Sequence, residues 1–259
     1  MGMQTQNLAD SVRLTFGQER PPVNPFHIAR EEGIILKPGI CPGYDGRLEY
    51  IPNRARWILF YATGDESDPR TRFTIAHELG HYYIEEHANI IRAGQPHASH
   101  IDELGQRQRR EEEANEFASD LLMPESLFGR AITDVAFDVL DRLCGMFGTS
   151  RASTARKMVQ LTNHALSIVF IRDSVVQYAQ HSAAMRVQGL VGIRKGDSIP
   201  NKSQTYLYMT TGKRDKAKAE IWASEWYGRE KNRAGDRKIW EEVNGLGQYG
   251  YLTLLVYEP

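Results

Sequence analysis

The sequence has little of what extracellular and membrane proteins use to stabilise their folds. Only two cysteines occur in 259 residues, and Cys41 lies far from Cys144, which argues against a disulfide framework and fits reduced thiols in the cytosol. No uncharged apolar run approaches the roughly 18 residues that a membrane-spanning helix requires. Residues 1–20 have neither the apolar segment nor the cleavage pattern typical of a signal peptide. We therefore expect a cytoplasmic protein with no membrane partner.

The chain also lacks an excess of charge of either sign. Its 32 basic and 33 acidic side chains give a formal net charge of -1 at pH 7, so we expect no global attraction to nucleic acid or anionic lipid. Internal repeats and low-complexity segments are absent as well. With 41% hydrophobic and 25% charged residues, the composition indicates a globular protein of one large domain or a few small ones.

Turn residues and hydrophobic periodicity predict an α+β fold in three parts. In the first part a short helix capped by Asn24 and three strand-like segments precede an amphipathic helix over residues 71–86. A histidine-containing loop follows, and a second helix over residues 107–123 is stopped by Pro124. Residues 135–161 predict a helix, a tight turn and a helix. The predicted parts are residues 1–125, a first α+β domain; residues 126–165, a helix-turn-helix segment; and residues 166–259, a C-terminal mixed α/β domain.

The C-terminal part is predicted mainly from strand-like periodicity. One amphipathic helix, which includes Ile221, Trp222 and Trp226, is expected among the strands. The three tryptophans of this region are more typical of core packing than of a ligand pocket. The expected strands cover residues 166–171, 175–179, 205–209 and 251–257.

The most specific motif is His77-Glu78-Leu79-Gly80-His81, which lies within the first long predicted helix. Histidines at i and i+4 project from one helix face, so both can reach one metal ion. Glu78 is rotated about 100° from His77, beside the metal but outside its ligand set, where it can act as a general base on a zinc-activated water. The random expectation is about 0.02 such motifs per chain, so chance is a poor explanation.

A catalytic zinc site needs a third protein ligand, and two residues are candidates. His87 follows His81 at the spacing of an extended H-E-x-x-H-x-x-G-x-x-H motif. Because position 84 is isoleucine rather than glycine, we expect the helix to continue and His87 to face away from the metal. Glu111 is the alternative, on a helix face that also places Asn115 to bind a ligating histidine as an outer-shell partner. The neighbouring Glu112, Glu113 and Glu116 are expected to be a solvated acidic run.

Residues 72–81, Arg-Phe-Thr-Ile-Ala-His-Glu-Leu-Gly-His, and residues 111–124, Glu-x-x-Ala-Asn-x-Phe-Ala-x-x-Leu-Leu-Met-Pro, together resemble the ImmA/IrrE metallopeptidases. The resemblance extends over the first half of the chain, and the helix-turn-helix that follows is similar to the radiation-response IrrE branch. It implies a minimal zincin-like fold, Zn²⁺ as cofactor and Glu111 as the third ligand. It also implies a cytoplasmic endopeptidase that cleaves a transcriptional repressor, itself a helix-turn-helix protein, in a stress or mobile-element response.

The mechanism expected from these residues uses Glu78 as the base, with the metal on His77, His81 and Glu111. The strand at residues 57–61 is expected to be the edge that pairs with an extended substrate. Candidates for a transition-state donor are His97, His100 and Arg72.

The rival hypothesis is a DNA-binding or ligand-sensing regulator with a zincin-like module. Its candidate DNA-contacting residues are Arg151, Arg156 and Lys157 on the second helix of the helix-turn-helix. Without a basic excess, a packed helical hairpin is favoured over a DNA-reading one. The intact base Glu78 also argues against a purely structural module.

Overall fold

The computed structural model describes residues 2–39, 45–62, 65–94, 101–211, 217–228 and 236–258. Two compact units can be distinguished, Met1–Leu127 with Cys144–Ser150 and Phe128–Leu143 with Arg151–Pro259. The three-part division predicted at residues 125 and 165 remains a proposal beside them. Cys144 is half-buried and forms no disulfide among the described residues, and Cys41 lies outside those residues. No helix in the described ranges is both long enough and apolar enough to cross a membrane.

The fold class predicted from the sequence, α+β, is confirmed. The described residues form helices and two separate sheets. The helices are α1 (Gly2–Thr15), α2 (Pro25–Glu31), α3 (Pro69–Tyr83), α4 (Glu85–Arg92), α5 (Ile101–Leu122), α6 (Glu125–Ala131), α7 (Phe137–Phe147), α8 (Arg151–Leu161), α9 (Ala183–Val187), α10 (Gln204–Thr211) and α11 (Ala223–Tyr227). The strands are β1 (Ile35–Pro38), β2 (Gly46–Ile51), β3 (Arg56–Tyr61), β4 (Ala165–Arg172), β5 (Val175–His181), β6 (Ala217–Trp222), β7 (Lys238–Gly245) and β8 (Tyr251–Tyr257).

The first unit contains a three-stranded sheet with strand order β1-β3-β2. The central strand β3 is parallel to β1 and antiparallel to β2. It alternates between buried and more exposed positions, and Trp57, Leu59 and Tyr61 are buried, as expected for a strand with one face on the core. Because β3 is paired on both sides, the prediction that residues 57–61 form a substrate-pairing edge is wrong; β2 is at the edge beside the predicted site.

Helices α3 and α5 pack against each other at unusually close range. At the start of α3, the Asp68 carboxylate accepts a hydrogen bond from Thr71 N at 2.8 Å and caps the helix. Further along, a Cβ placed on Gly80 would lie only 3.1 Å from Ala114 Cα. Ala114 and Ala118 are themselves fully buried, so small residues on both helices permit the contact that brings their functional side chains together.

The second unit contains a five-stranded antiparallel sheet with strand order β5-β4-β8-β7-β6. Strands β4 and β8 are almost continuously buried, consistent with their central positions. The helices α9 and α11 add Met185, Trp226 and Tyr227 to the same core. The burial of Trp226 agrees with the prediction that it serves core packing, whereas Trp222 is half exposed.

Two segments of this unit differ from the prediction. The expected strand at 205–209 lies in helix α10, because the buried Glu241 carboxylate accepts hydrogen bonds from Gln204 N at 3.1 Å and Thr205 N at 2.8 Å. This cap comes from a residue 36 positions further along the chain, so the local pattern could not indicate it. The expected helix with Ile221, Trp222 and Trp226 is divided, since the first two residues end β6 and the third lies in α11.

A buried hydrogen-bonded chain in this unit predicts a pH-dependent stability. Tyr227 Oη donates to Ser167 Oγ at 2.8 Å, and Ser167 Oγ lies 2.7 Å from His181 Nδ1. Burial, assisted by the charge of Arg186, lowers the pKa of His181 to about 4, against about 6.5 in the unfolded chain. As the pH falls from 6.5 to 4, His181 binds a proton in the unfolded chain but not yet in the folded one. The free energy of unfolding therefore falls over that window, by up to about 3 kcal/mol.

The variant His181→Asn should flatten the acid side of the stability profile, because Asn offers a hydrogen-bond acceptor at the Nδ1 position but does not titrate. The free energy of unfolding would be measured by urea titration between pH 4 and pH 8, with tryptophan fluorescence as the signal. Parallel pH profiles for the wild type and the variant would contradict this assignment.

Candidate metal centre

Three side chains from α3 and α5 converge on one point. His77 Nε2 and His81 Nε2 lie 3.1 Å apart, as expected for histidines one turn apart on a helix. Glu111 approaches from α5, with Oε2 at 3.2 Å from His77 Nε2 and Oε1 at 3.8 Å from His81 Nε2. Among the described residues, this is the group of three whose ligand atoms could hold one metal ion.

The spacing of these atoms fits a tetrahedral zinc site. Ligand atoms 2.0–2.1 Å from a tetrahedral Zn²⁺ are separated from one another by about 3.3 Å. His77 Nε2 lies 3.1 Å from His81 Nε2 and 3.2 Å from Glu111 Oε2, close to this value, and one ligand atom from each of the three residues lies within 4.8 Å of the other two. Two nitrogens and one carboxylate also form the ligand set of catalytic sites that keep a fourth position open. The side chains of this chain therefore fit the metal that the sequence predicts.

The electrostatics of the site favour an ionised carboxylate among the ligands. Hydrogen bonds with His77 and His81 hold the pKa of Glu111 far below its ordinary value, although its partial burial acts in the opposite direction. Burial disfavours the charged form of His77, but Glu111 and Glu78 outweigh that effect and raise its pKa. Glu111 is thus available as an anionic ligand throughout the neutral range.

Glu78 lies next to this group without belonging to it. Its side chain is only 7% exposed and lines the same cavity as the two histidines. Burial raises the pKa of Glu78, while the nearby His77 and His81 act against that rise. A partly desolvated carboxylate with a raised pKa is suited to exchange a proton near neutral pH.

The cavity has a volume of about 500 Å³ and lies between β2, α3, α4 and α5. Residues 45–48, in and just before β2, line it. Gly46 is required there, since a Cβ would lie 2.4 Å from Thr74 Cγ2 and 3.2 Å from Glu78 Oε1. Arg47 and Arg110 also line the cavity; the sequence offered no signal for either, because each is one basic residue among many.

Of the three candidates for a transition-state donor, only Arg72 lies among the described residues, and it does not line the cavity. Arg72 is 7% exposed, and its guanidinium donates to the backbone carbonyls of Val23 and Gly148, so its role is to hold backbone segments of the first unit together. His97 and His100 lie outside the described residues.

The outer contacts of the two histidines are made by different residues. His77 Nδ1 lies 3.0 Å from Asn115 Oδ1, the partner expected from the sequence. His81 Nδ1 lies 3.2 Å from His87 Nδ1, and His87 Nε2 lies 3.1 Å from Glu113 Oε2. Burial, assisted by the charge of His81, lowers the pKa of His87. His87 therefore contacts the proposed ligand His81 at Nδ1, the nitrogen that does not face the metal, and is not itself one of the proposed ligands.

Two expectations about this region are wrong. Helix α3 ends at Tyr83, and Ile84 adopts an extended conformation with φ of -77° and ψ of 107° before α4 begins. The chain thus turns without a glycine and brings His87 back toward the site, in a helix where a loop was predicted. Glu113 is also not solvated: its side chain is 12% exposed and pairs with both His87 and Arg109.

Of the three cations proposed to contact DNA, Arg151 and Arg156 have partners within the second unit and Lys157 is buried. Arg151 Nε lies 2.6 Å from Asp141 Oδ1, and the Arg156 guanidinium lies 4.6 Å from the ring centre of Tyr178. Lys157 is 6% exposed. Helices α7 and α8 occupy the predicted positions, separated by a turn in which Gly148 has a φ of +64°, but these side chains give no support to DNA reading, which remains a prediction.

Comparison with solved structures shows a relative of this fold. A structure named Mycobacterium tuberculosis transcriptional regulator is similar, with a TM-score of 0.64 and 16% sequence identity, over 97% of this chain and 74% of that chain. At this identity the likeness concerns the fold. No curated protein matches the chain in sequence.

Comparison with family models identifies the domain that contains the candidate centre. Residues 41–158 match the Peptidase_M78 model, which is described as an IrrE N-terminal-like domain. This range includes His77, Glu78, His81 and Glu111. The chain thus contains a metallopeptidase domain of the IrrE N-terminal-like type, which supports its assignment to the ImmA/IrrE family.

Proposed function

We propose that this chain is a zinc-dependent endopeptidase that cleaves a transcriptional repressor. The observation that supports this most directly is the placement of Glu78 in the cavity beside the converging atoms of His77, His81 and Glu111. A metal site with only a structural role has no use for a buried carboxylate at that position. The peptidase-type domain at residues 41–158 supports the same reaction class.

The proposed reaction adds water across a peptide bond. Zn²⁺ held by His77, His81 and Glu111 supplies Lewis-acid activation of the water and of the scissile carbonyl. The Glu78 carboxylate accepts a proton as the water oxygen bonds to the carbonyl carbon, and then delivers that proton to the amine nitrogen as the C–N bond breaks. Glu78 lines the same cavity as the proposed ligands, so one carboxylate can serve both transfers.

Strand β2 is the proposed platform for the substrate. It is at the edge of its sheet, and residues 45–48 face the cavity. An extended peptide can add to such an edge through main-chain hydrogen bonds, which would place its backbone alongside Glu78. This placement favours an unfolded or extended segment of a protein as substrate over a small molecule.

The repressor as substrate rests on the ImmA/IrrE assignment, and a stress or mobile-element response is the setting proposed with it. The name of the similar Mycobacterium tuberculosis structure, a transcriptional regulator, agrees with a role in the control of transcription. The same name also suits the rival hypothesis of a DNA-binding regulator. Against that rival, Arg151 and Arg156 have partners within the protein and Lys157 is buried.

The proposed activity can be tested without knowledge of the natural substrate. The purified chain, loaded with Zn²⁺, would be incubated with a library of unfolded peptides, and new termini would be identified by mass spectrometry. Cleavage that is lost with a zinc chelator and restored by added Zn²⁺ is expected. Absence of cleavage by the zinc-loaded chain, or cleavage that the chelator leaves intact, would contradict the proposal.

DNA binding by the purified chain is expected to be weak and salt-sensitive, because few phosphates can be neutralised by so small a basic set. Mobility shifts with random duplex DNA at low and physiological ionic strength would measure it. A sequence-specific complex of nanomolar affinity at physiological salt would favour the regulator instead.

A further inference from the structure

We propose that His87 is a positioning residue that fixes the orientation and tautomer of His81, and that Glu113 fixes His87 in turn. The inference rests on the metal centre proposed above and assigns a role to two residues outside the ligand set. It concerns a three-residue chain, His81–His87–Glu113, that connects α3, α4 and α5.

The geometry of this chain is well defined. His81 Nδ1 and His87 Nδ1 lie 3.2 Å apart, and His87 Nε2 lies 3.1 Å from Glu113 Oε2. His87 is 1% exposed, so water does not compete for its ring nitrogens. Glu113 is held from its other side by Arg109, whose Nε donates to Oε1 at 2.9 Å.

The proton positions follow from the use of each nitrogen. A histidine that offers Nε2 to a metal carries its proton on Nδ1. The Nδ1–H of His81 then donates to His87 Nδ1, which must be unprotonated to accept it. Neutral His87 therefore carries its proton on Nε2 and donates it to the Glu113 carboxylate. With His87 neutral, only this arrangement of protons satisfies the metal contact of His81 Nε2 together with the His81–His87 and His87–Glu113 hydrogen bonds.

The two proposed histidine ligands are therefore held by partners of different chemistry. His77 is held by the neutral amide of Asn115 at 3.0 Å. His81 is held through His87 by a carboxylate, which strengthens the hydrogen bond to Nδ1 and makes the ligating nitrogen a better electron donor. A purely structural role would need only an aromatic ring at position 87 to fill the space between helices.

The variants His87→Phe and His87→Asn distinguish these roles. Phenylalanine keeps a planar ring but has no acceptor, whereas asparagine places Oδ1 near the position of the lost Nδ1 and can accept from His81. We expect His87→Phe to weaken Zn²⁺ affinity by about 10- to 100-fold, the range typical of outer-shell partners, and His87→Asn to recover most of it. Affinity would be measured by competition with a chromophoric chelator.

Further variants sharpen the test. His27→Phe alters a histidine of the same unit that does not line the cavity, and it should bind Zn²⁺ as the wild type does. Glu113→Gln keeps an acceptor for His87 Nε2–H but removes the charge. We expect it to lose less Zn²⁺ affinity than His87→Phe does. Thermal unfolding in the presence of chelator would show whether each metal-free variant is folded.

The outcomes separate the inference from the proposed function. If the wild type binds Zn²⁺ and His87→Phe binds it equally well, the positioning role is wrong while the metal centre stands. If folded His87→Phe and His87→Asn are equally impaired, an acceptor at this position does not restore Zn²⁺ affinity, and the inference is again wrong. If His87→Phe does not fold, near wild-type affinity of His87→Asn supports the inference and a full loss overturns it. A wild-type chain that binds no Zn²⁺ overturns both.

Discussion

Replacement of Glu78 by glutamine is expected to leave the zinc content of the protein unchanged and to lower peptide cleavage by about 10²- to 10⁴-fold, the usual contribution of a general base. The reason is that Glu78 lies beside the metal group but is not one of its three members. Glutamine preserves the size of the side chain, but it cannot take up a proton from water. Metal content and the rate of cleavage of a library-derived peptide would both be measured.

Glu85→Gln is the matched control for this variant. Glu85 is exposed at the start of α4 and does not line the cavity, so the same chemical change there should leave cleavage and zinc content as in the wild type. Loss of zinc from Glu78→Gln would make Glu78 a ligand, and retained cleavage would remove it from the proton-transfer steps. Either result would contradict the role of Glu78 as the base.

Removal of the third ligand is expected to have the larger effect on metal binding. Glu111→Ala leaves two histidines, which cannot complete the tetrahedral set, and removes the negative charge that offsets the metal. Zinc affinity should fall by more than the roughly 100-fold that marks the upper range for outer-shell partners, and cleavage should be lost with it. Chelator competition and peptide cleavage are the measurements.

Glu116→Ala provides the comparison on the same helix. Glu116 is exposed on α5 and lies outside the cavity, so its loss should alter neither affinity nor activity. The zinc affinity of Asn115→Ala should lie between those of Glu111→Ala and Glu116→Ala, because Asn115 contacts only His77 Nδ1, the nitrogen that does not face the metal. A Glu111→Ala protein that keeps wild-type zinc affinity would exclude this residue from the ligand set.

The sequence was most informative where chemistry and helical spacing agree. The i, i+4 histidines fix their own geometry once the segment is helical, and the structure brings Glu111 and Asn115 to them as the pattern on α5 indicated. The close approach of the two helices agrees with the small residues Ala114 and Ala118, which lie one turn apart on one face of α5.

The features that could not be predicted depend on contacts between distant segments. Helix α10 is capped by Glu241, far along the chain, and the strand order that makes β2 the edge results from pairing across three segments. The position of His87 was predicted wrongly because an isoleucine can either continue a helix or adopt the extended conformation that Ile84 has. Its residue type alone does not decide between the two. Glu113 seemed solvated in an acidic run, yet its position on α5 aims it at His87. In each case tertiary contacts overrode the local preference.

The central claim is that one metal ion is bound by His77, His81 and Glu111. Anomalous X-ray diffraction from zinc-loaded crystals, recorded on both sides of the zinc absorption edge, tests it directly. We expect a single strong anomalous peak about 2 Å from His77 Nε2, His81 Nε2 and a Glu111 carboxylate oxygen, with Glu78 adjacent and not bonded to it. A peak within bonding distance of His87 and not of Glu111, or no peak at this position in zinc-loaded crystals, would contradict the proposed ligand set.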